Sequence, residues 1–220
     1  MLTLTIDGTE PVSATAVKAV TAVCDEAENR PGPGIVTVEV SGAPAAGWTG
    51  GLGISLVTKW ERALRRLERL PVATAAVATG DLGGTALEAF LATDVRVATP
   101  GTRLLVPVDG EATWPGMALY RLVQQAGAAR VRRAVLFGAP IDTAEALALG
   151  LVDELADDHA AAHAAAARLT SSTSAPAGKE LAIRRQLLFD ATTTSFEQAL
   201  GAHLAAADRA LRGAAVKEAS

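Results

Sequence analysis

The sequence predicts an α/β fold closed by a helical C-terminal region. Short β-leaning runs alternate with helix-patterned segments through residues 1–155, which we read as the core unit. Two glycine-rich loops interrupt that alternation, at 41–53 and 80–84. From residue 156 to 220 the strands stop and alanine-rich helical pattern takes over.

Composition narrows the functions. At 220 residues and 50% hydrophobic, the chain has enough apolar mass for a full core. Aromatics are only 4%, so that core must be built mainly of Ala, Val and Leu. A net charge of −4 argues against nucleic acid as a partner. No apolar run approaches a membrane span, and no basic-then-apolar leader opens the chain. Cys24 stands alone, which excludes an internal disulfide and makes a reducing cytoplasm the simplest home.

Residues 2–6 alternate apolar side chains with Thr, as a half-buried strand does, and Asp7-Gly8 turns it. Ser13 suits the N-cap of a helix carrying Val17, Val20, Val23 and Cys24. The Pro31-Gly32-Pro33-Gly34 run stops it, because proline cannot continue a helix. IVTVEV at 35–40 is a strong strand, and the small-residue loop 41–53 follows it. Residues 59–70 form an amphipathic helix whose face of Arg62, Arg65, Arg66 and Arg69 is interleaved with Glu61 and Glu68, the pattern of a solvated face.

The stretch 70–98 organises the chain. A strand at 72–77 runs into Asp81, Gly83 and Gly84, then a helix at 85–92, then a strand at 95–98. Glycine lets a backbone approach a ligand, and the first N–H groups of a helix lack internal partners. Such a turn is either an ordinary connection or a cradle for an oxygen that becomes negative during reaction. Beyond it come an apolar run at 103–108, a turn at Asp109-Gly110-Glu111, and Trp114-Pro115-Gly116 leading into helices at 117–126 and 128–137. Asp142 or Thr143 caps a short helix at 144–149, and 151–155 reads as a short strand. Helices at 157–169, 179–190 and 195–212 follow, the first two separated by a polar linker with Pro176. His159 and His163 are spaced i, i+4, but their neighbourhood in the sequence offers no third ligand, so no metal site is expected.

The run PVATAAVATGDLGG…LEAFLATDVRVA resembles PVIAAVNGxALGGGxELAxxCDxxxA of the crotonase (enoyl-CoA hydratase/isomerase) superfamily. AGAARVRRAVLFGAPIDTAEALALGLVDEL resembles that family's VGxxxAxxxxLTGxxxxAxxAxxxGLVxxV without a gap. IVTVEVSGAPAAGWTGG stands where the family has a strand and its AGAD-type loop. The resemblance spans about residues 2–155 and implies a crotonase-like spiral of ββα units. Small size and a divergent site look most like the accessory crotonases of dihydroxyphenylglycine biosynthesis. Those assist a type III polyketide synthase that makes 3,5-dihydroxyphenylacetyl-CoA.

The resemblance implies an oxyanion hole of two backbone N–H groups, one near Gly47 or Trp48, the other near Gly84 or Thr85. Ala45 and Ala46 fall in the loop that meets coenzyme A. Of the family's two glutamates, the first maps to Glu88 and the second to Val108, which cannot move a proton. Asp81, Asp109 and Glu111 stand as possible substitute acids. Glu88 is then either a catalytic acid/base or a carboxylate serving its helix dipole. A lone carboxylate suits an enol–keto shift, double-bond migration or elimination of water. The acidic turn Asp7-Gly8-Thr9-Glu10 stands where the family has a basic residue that helps hold CoA phosphates, which fits either an acyl chain presented by a partner or a weakly held thioester. No cofactor is expected beyond the CoA thioester as substrate carrier. The expected partners are an acyl-CoA, a polyketide synthase and further copies of the chain in a homo-trimer or hexamer. Three functions compete: a thioester dehydratase or isomerase acting with the synthase, a non-catalytic partner of the synthase, and a generic enoyl-CoA hydratase/isomerase.

Overall fold

The computed structural model describes residues 2–30, 34–171 and 178–218. The stop at 31–33 and the linker around Pro176 lie outside the described residues. In chain order the elements are β1 (Leu2–Asp7), α1 (Ala14–Asn29), β2 (Ile35–Gly42), α2 (Ile54–Leu67), β3 (Ala73–Leu82), α3 (Gly84–Leu91), β4 (Val95–Ala98), β5 (Arg103–Leu104), β6 (Val108–Asp109) and β7 (Ala112–Thr113). There follow α4 (Met117–Ala126), α5 (Ala128–Phe137), β8 (Ile141–Asp142), α6 (Thr143–Ala148), β9 (Glu154–Leu155), α7 (His159–Thr170), α8 (Lys179–Asp190) and α9 (Phe196–Glu218).

The main sheet has the order β1-β2-β3-β4-β9 and is parallel throughout that path. Parallel strands need crossovers, and α1, α2 and α3 supply them between β1, β2, β3 and β4. Val36, Val38 and Val40 of β2 face a large core with Trp60, Leu64, Leu87 and Phe90. Ile35 faces the opposite way, onto a smaller core with Val77, Val97, Ala162, Ala165 and Ala166. Helix α7 therefore covers the second face of the sheet, packed on β3, β4 and β2. Its alanines let the helix sit close. The alternation of β2 decides which residues each layer receives.

Every residue of α3 is buried. That helix is apolar except at Thr85 and Glu88, because sheet and α4 enclose it. Leu87, Phe90 and Leu91 are fully or almost fully enclosed, each worth about 1.5–3 kcal/mol of apolar burial.

Several elements differ from the expected boundaries for identifiable reasons. Strand β3 continues past Gly80, whose φ of +67° absorbs a bulge, so that Leu82 still pairs with Gly42 and Leu104. The run 103–108 is a strand only at β5. Beyond it, Val108 and Asp109 pair back on Thr113 and Ala112 as a hairpin. Helix α2 begins earlier, at Ile54, and its charged side is not uniformly solvated: Glu68 is buried against Arg121. Ser13 and Asp142 cap α1 and α6 through their side chains, as the sequence indicates. Among the described residues, no helix is long and apolar enough to cross a membrane.

Candidate active site

The site gathers where β3 gives way to α3. The Gly83 amide donates to the Gly42 carbonyl at 2.9 Å, which fastens the turn to the end of β2. A Cβ on Gly83 would meet Ala43 Cβ at 2.8 Å and Pro44 Cδ at 3.0 Å, so the start of the 43–53 loop rests directly on this bend. Gly84 has φ +50°, a conformation that favours glycine. The Gly84 and Thr85 amides open α3, so neither has a partner within the helix. The Thr85 hydroxyl points away from the bend, to the carbonyls of Asp7 at 3.4 Å and Glu10 at 3.3 Å. Its side chain braces the turn after β1 and leaves the N–H available.

Glu88 lies one helical turn beyond Gly84, on the same side of α3. It is 6% exposed, and its Oε2 accepts a 2.6 Å hydrogen bond from Trp60 Nε1. Burial pushes its carboxyl up to about 7, and the nearby Glu61 carboxylate adds to the rise; the indole hydrogen bond and Arg121 only partly oppose this. An acid poised there gives and takes protons near neutrality.

The other carboxylate wall is Gly116. A Cβ at that position would lie 2.8 Å from Glu88 Oε1 and 2.6 Å from Trp114 Nε1. Trp114 meets Trp48 edge to face, with ring centroids 5.2 Å apart. All three tryptophans of the chain thus gather near Glu88: Trp60 is bonded to it, Trp114 lies beside it at Gly116, and Trp48 packs on Trp114. The Trp48 Nε1 donor is enclosed and has no hydrogen-bond partner among the described residues.

The remaining sequence candidates separate cleanly. Asp109 is brought to the loop: the Thr49 hydroxyl donates to its Oδ2, beside Trp48. Val108 faces the other way, its Cγ2 within 2.9 Å of where a Cβ on Gly138 would be. Alternation along β6 therefore turns Asp109, rather than Val108, toward the loop. Asp81 is not brought to Glu88's neighbours. It forms a two-bond pair with Arg103 on the surface, and that pairing holds its carboxyl below the usual range. Glu111 is exposed at the hairpin turn, and Ala45, Ala46 and Gly47 are exposed in their loop. Gly47 accepts from the Gly50 amide at 3.0 Å.

Sequence reasoning missed Trp60, Trp114 and Gly116. A signal existed: in a chain with few aromatics, tryptophans are scarce enough that each position asks for a reason. Behind the site, Arg121 joins Glu61 at 3.0 Å and Glu68 at 2.6 Å, tying α4 to α2. Cys24 is buried, which pushes its thiol up to about 11 and leaves it inert.

No family model matches the chain. It is 56% identical over 211 residues to a protein from Amycolatopsis orientalis described as an enoyl-CoA hydratase, covering 96% of each. Its fold matches the crystal structure of an enoyl-CoA hydratase/isomerase from Marinobacter aquaeolei at TM-score 0.77 and 17% identity, over 96% of this chain and 87% of that one. An enoyl-CoA hydratase/isomerase family protein from Silicibacter pomeroyi gives TM-score 0.78 at 18% identity, over 96% and 94%. The structural matches establish a crotonase-type fold. With the close relative matched over nearly its whole length, they place this chain as a member of the enoyl-CoA hydratase/isomerase (crotonase) superfamily.

Proposed function

We propose that this protein acts on a CoA thioester, with Glu88 as the single proton shuttle and the Gly84–Thr85 amides as donors to the developing oxyanion. The observation that carries this is a buried carboxyl held by a neutral indole, one turn from a glycine bend at a helix start; burial lifts its pKa toward neutrality. In the proposed step the carboxylate removes the α-proton of a β-hydroxy thioester. The electron pair passes into the thioester carbonyl as an enolate. Its collapse forms the double bond and expels hydroxide, which takes the same proton and leaves as water. Carrier and product balance without a redox partner.

The substrate we favour is a polyketide thioester from a type III polyketide synthase, dehydrated and aromatised toward 3,5-dihydroxyphenylacetyl-CoA. The crossed indoles of Trp48 and Trp114 support this choice, because they offer a flat, conjugated chain an aromatic wall. Asp109 would set the loop through Thr49 rather than touch the reacting carbon. We also propose self-association through α9, where Phe196, Leu200, Leu204 and Leu211 are 42–75% exposed.

The test is a mixture of the protein, the synthase and malonyl-CoA, with product followed by mass spectrometry. Glu88→Gln should lower the product-forming enhancement by about 100-fold or more. Its full retention would remove Glu88 from the chemistry and favour the second reading, a non-catalytic partner that shelters the chain. Val108, which stands where the family has its second glutamate, is what favours that reading. Light scattering tests the assembly: a monomer at micromolar concentration defeats that part.

A further inference from the structure

On the opposite face of the sheet from Glu88, α7 and β2 bring together three side chains that the thioester chemistry does not use. His159 and His163 are one turn apart on α7, so their imidazoles share a helix face, with ring centroids 4.5 Å apart. Glu39 of β2 faces that same layer, because it alternates with Ile35 and Thr37 away from the large core. Its Oε1 lies 3.0 Å from His163 Nε2 and 3.9 Å from His159 Nε2. The candidate ligand atoms of all three residues fall within 4.8 Å of one another.

We propose that Glu39, His159 and His163 form a three-ligand site for a divalent transition-metal ion, zinc(II) by the chemistry of the donors. Two imidazoles and a carboxylate are a zinc donor set, and three protein ligands leave a fourth position for water. A tetrahedral ion with bonds of about 2.0–2.1 Å separates its donors by about 3.3 Å. The observed separations bracket that value, and His159, 57% exposed on its side chain, is free to close the longer gap. Two further observations point the same way. His163 Nε2 is enclosed by the Glu39 carboxylate yet makes no hydrogen bond among the described residues, so the close approach lacks the alignment that a proton between them would impose. The far oxygen, Glu39 Oε2, accepts from Thr5 Oγ1 at 3.2 Å across the β1–β2 pairing, which orients the carboxylate as a supporting residue of a metal site does. The sequence shows the histidine pair but not its third member, which arrives only when β2 and α7 stack. An ion there would clamp the helix to the sheet, and it is independent of the proposed reaction at Glu88.

Binding rather than turnover is the readout. Chelator-treated protein titrated with zinc(II) in a calorimeter should take one ion per chain with micromolar or tighter affinity. Cobalt(II) should give the intense visible absorption of a tetrahedral centre. His163→Ala and Glu39→Gln should each weaken binding by about 10-fold or more, and Thr5→Val by less. His203→Ala, a change on α9, should leave binding as it is. Zinc should raise the melting temperature of the wild type but not of His159→Ala/His163→Ala, which reports loss of the clamp even if that variant starts less stable. Absence of stoichiometric binding at micromolar zinc, or binding that survives in the double variant, overturns the site and leaves a simple histidine–carboxylate pair.

Discussion

Glu88 and Glu68 are buried to nearly the same degree, at 6% and 7% exposure, but they stand in opposite electrostatic company. Glu68 accepts from two guanidinium groups, Arg121 at 2.6 Å and Arg65 at 2.8 Å. Glu88 accepts from one neutral indole. Equal burial therefore leaves the two carboxyls in different electrostatic settings. A countercharge offsets the desolvation cost of Glu68 and locks it into the architecture. With no direct cationic partner among the described residues, Glu88 meets that cost by holding a proton to about pH 7. The two environments are linked, since Arg121 also joins Glu61, whose charge helps to raise Glu88.

The largest test of this contrast removes the shared cation. Arg121→Met should cost about 3–5 kcal/mol in urea unfolding at neutral pH, because Glu61 loses its cation and Glu68 loses one of its two inside the protein. Burial already pushes Glu61 upward against the pull of Arg121, and without Arg121 it should rise further. The deficit should therefore shrink as the pH is lowered and Glu61 takes up a proton. A loss below 1 kcal/mol would mean that solvent already screens the network.

Glu88→Gln should do the reverse. The folded state keeps the proton to about pH 7, whereas the unfolded carboxyl releases it near 4.5. The stability tied to this proton is present in full below about 4.5 and is lost as pH rises to about 7. That window is worth about 3 kcal/mol. The glutamine variant can still accept from Trp60 but carries no such slope. It should match the wild type near pH 4 and exceed it by about 2–3 kcal/mol near pH 8. Parallel stability–pH curves for the two proteins would show that Glu88 is charged in the fold.

The sequence made much of this frame legible, because its signals are local. Glycine marks the bend, alternation marks β2, and Ser13 and Asp142 mark helix starts. Counting six residues back from Asp94 reaches Glu88 because one helix and its exit link them without insertion. Its surroundings were hidden, since Trp60, Trp114 and Gly116 come from α2 and the segment before α4. The direction of Asp109 was hidden too. Only the β6–β7 pairing decides which of two adjacent side chains faces the 43–53 loop.

Gly116→Ala probes the uncharged backbone packed beside Glu88. The backbone there, at φ −78°, accepts alanine, so any cost is steric. The new methyl would collide with Trp114 Nε1 and Glu88 Oε1, and one of them must move. We expect about 1–3 kcal/mol of destabilisation and a larger proportional fall in turnover, as the acid is displaced from its proton. Wild-type turnover in this variant would argue that Oε1 is not the reacting oxygen.

The smallest effect on stability should come from Trp48→Phe, which keeps a ring against Trp114 and deletes one N–H. An enclosed donor with no partner costs about 1–3 kcal/mol, so its removal offsets much of the packing lost with the larger ring. The net change should stay within about 1 kcal/mol. Thioester binding should behave differently if that donor is held in reserve for a substrate oxygen, because a bond made only with ligand present adds nothing to the fold of the free protein. Affinity should then fall about 5- to 10-fold at nearly constant stability. Equal affinity in both proteins would reduce Trp48 to a space-filling wall. The contrast with Glu68 would then rest on Glu88 alone, because the Trp48 donor would no longer count as a polar group left unsatisfied for a ligand.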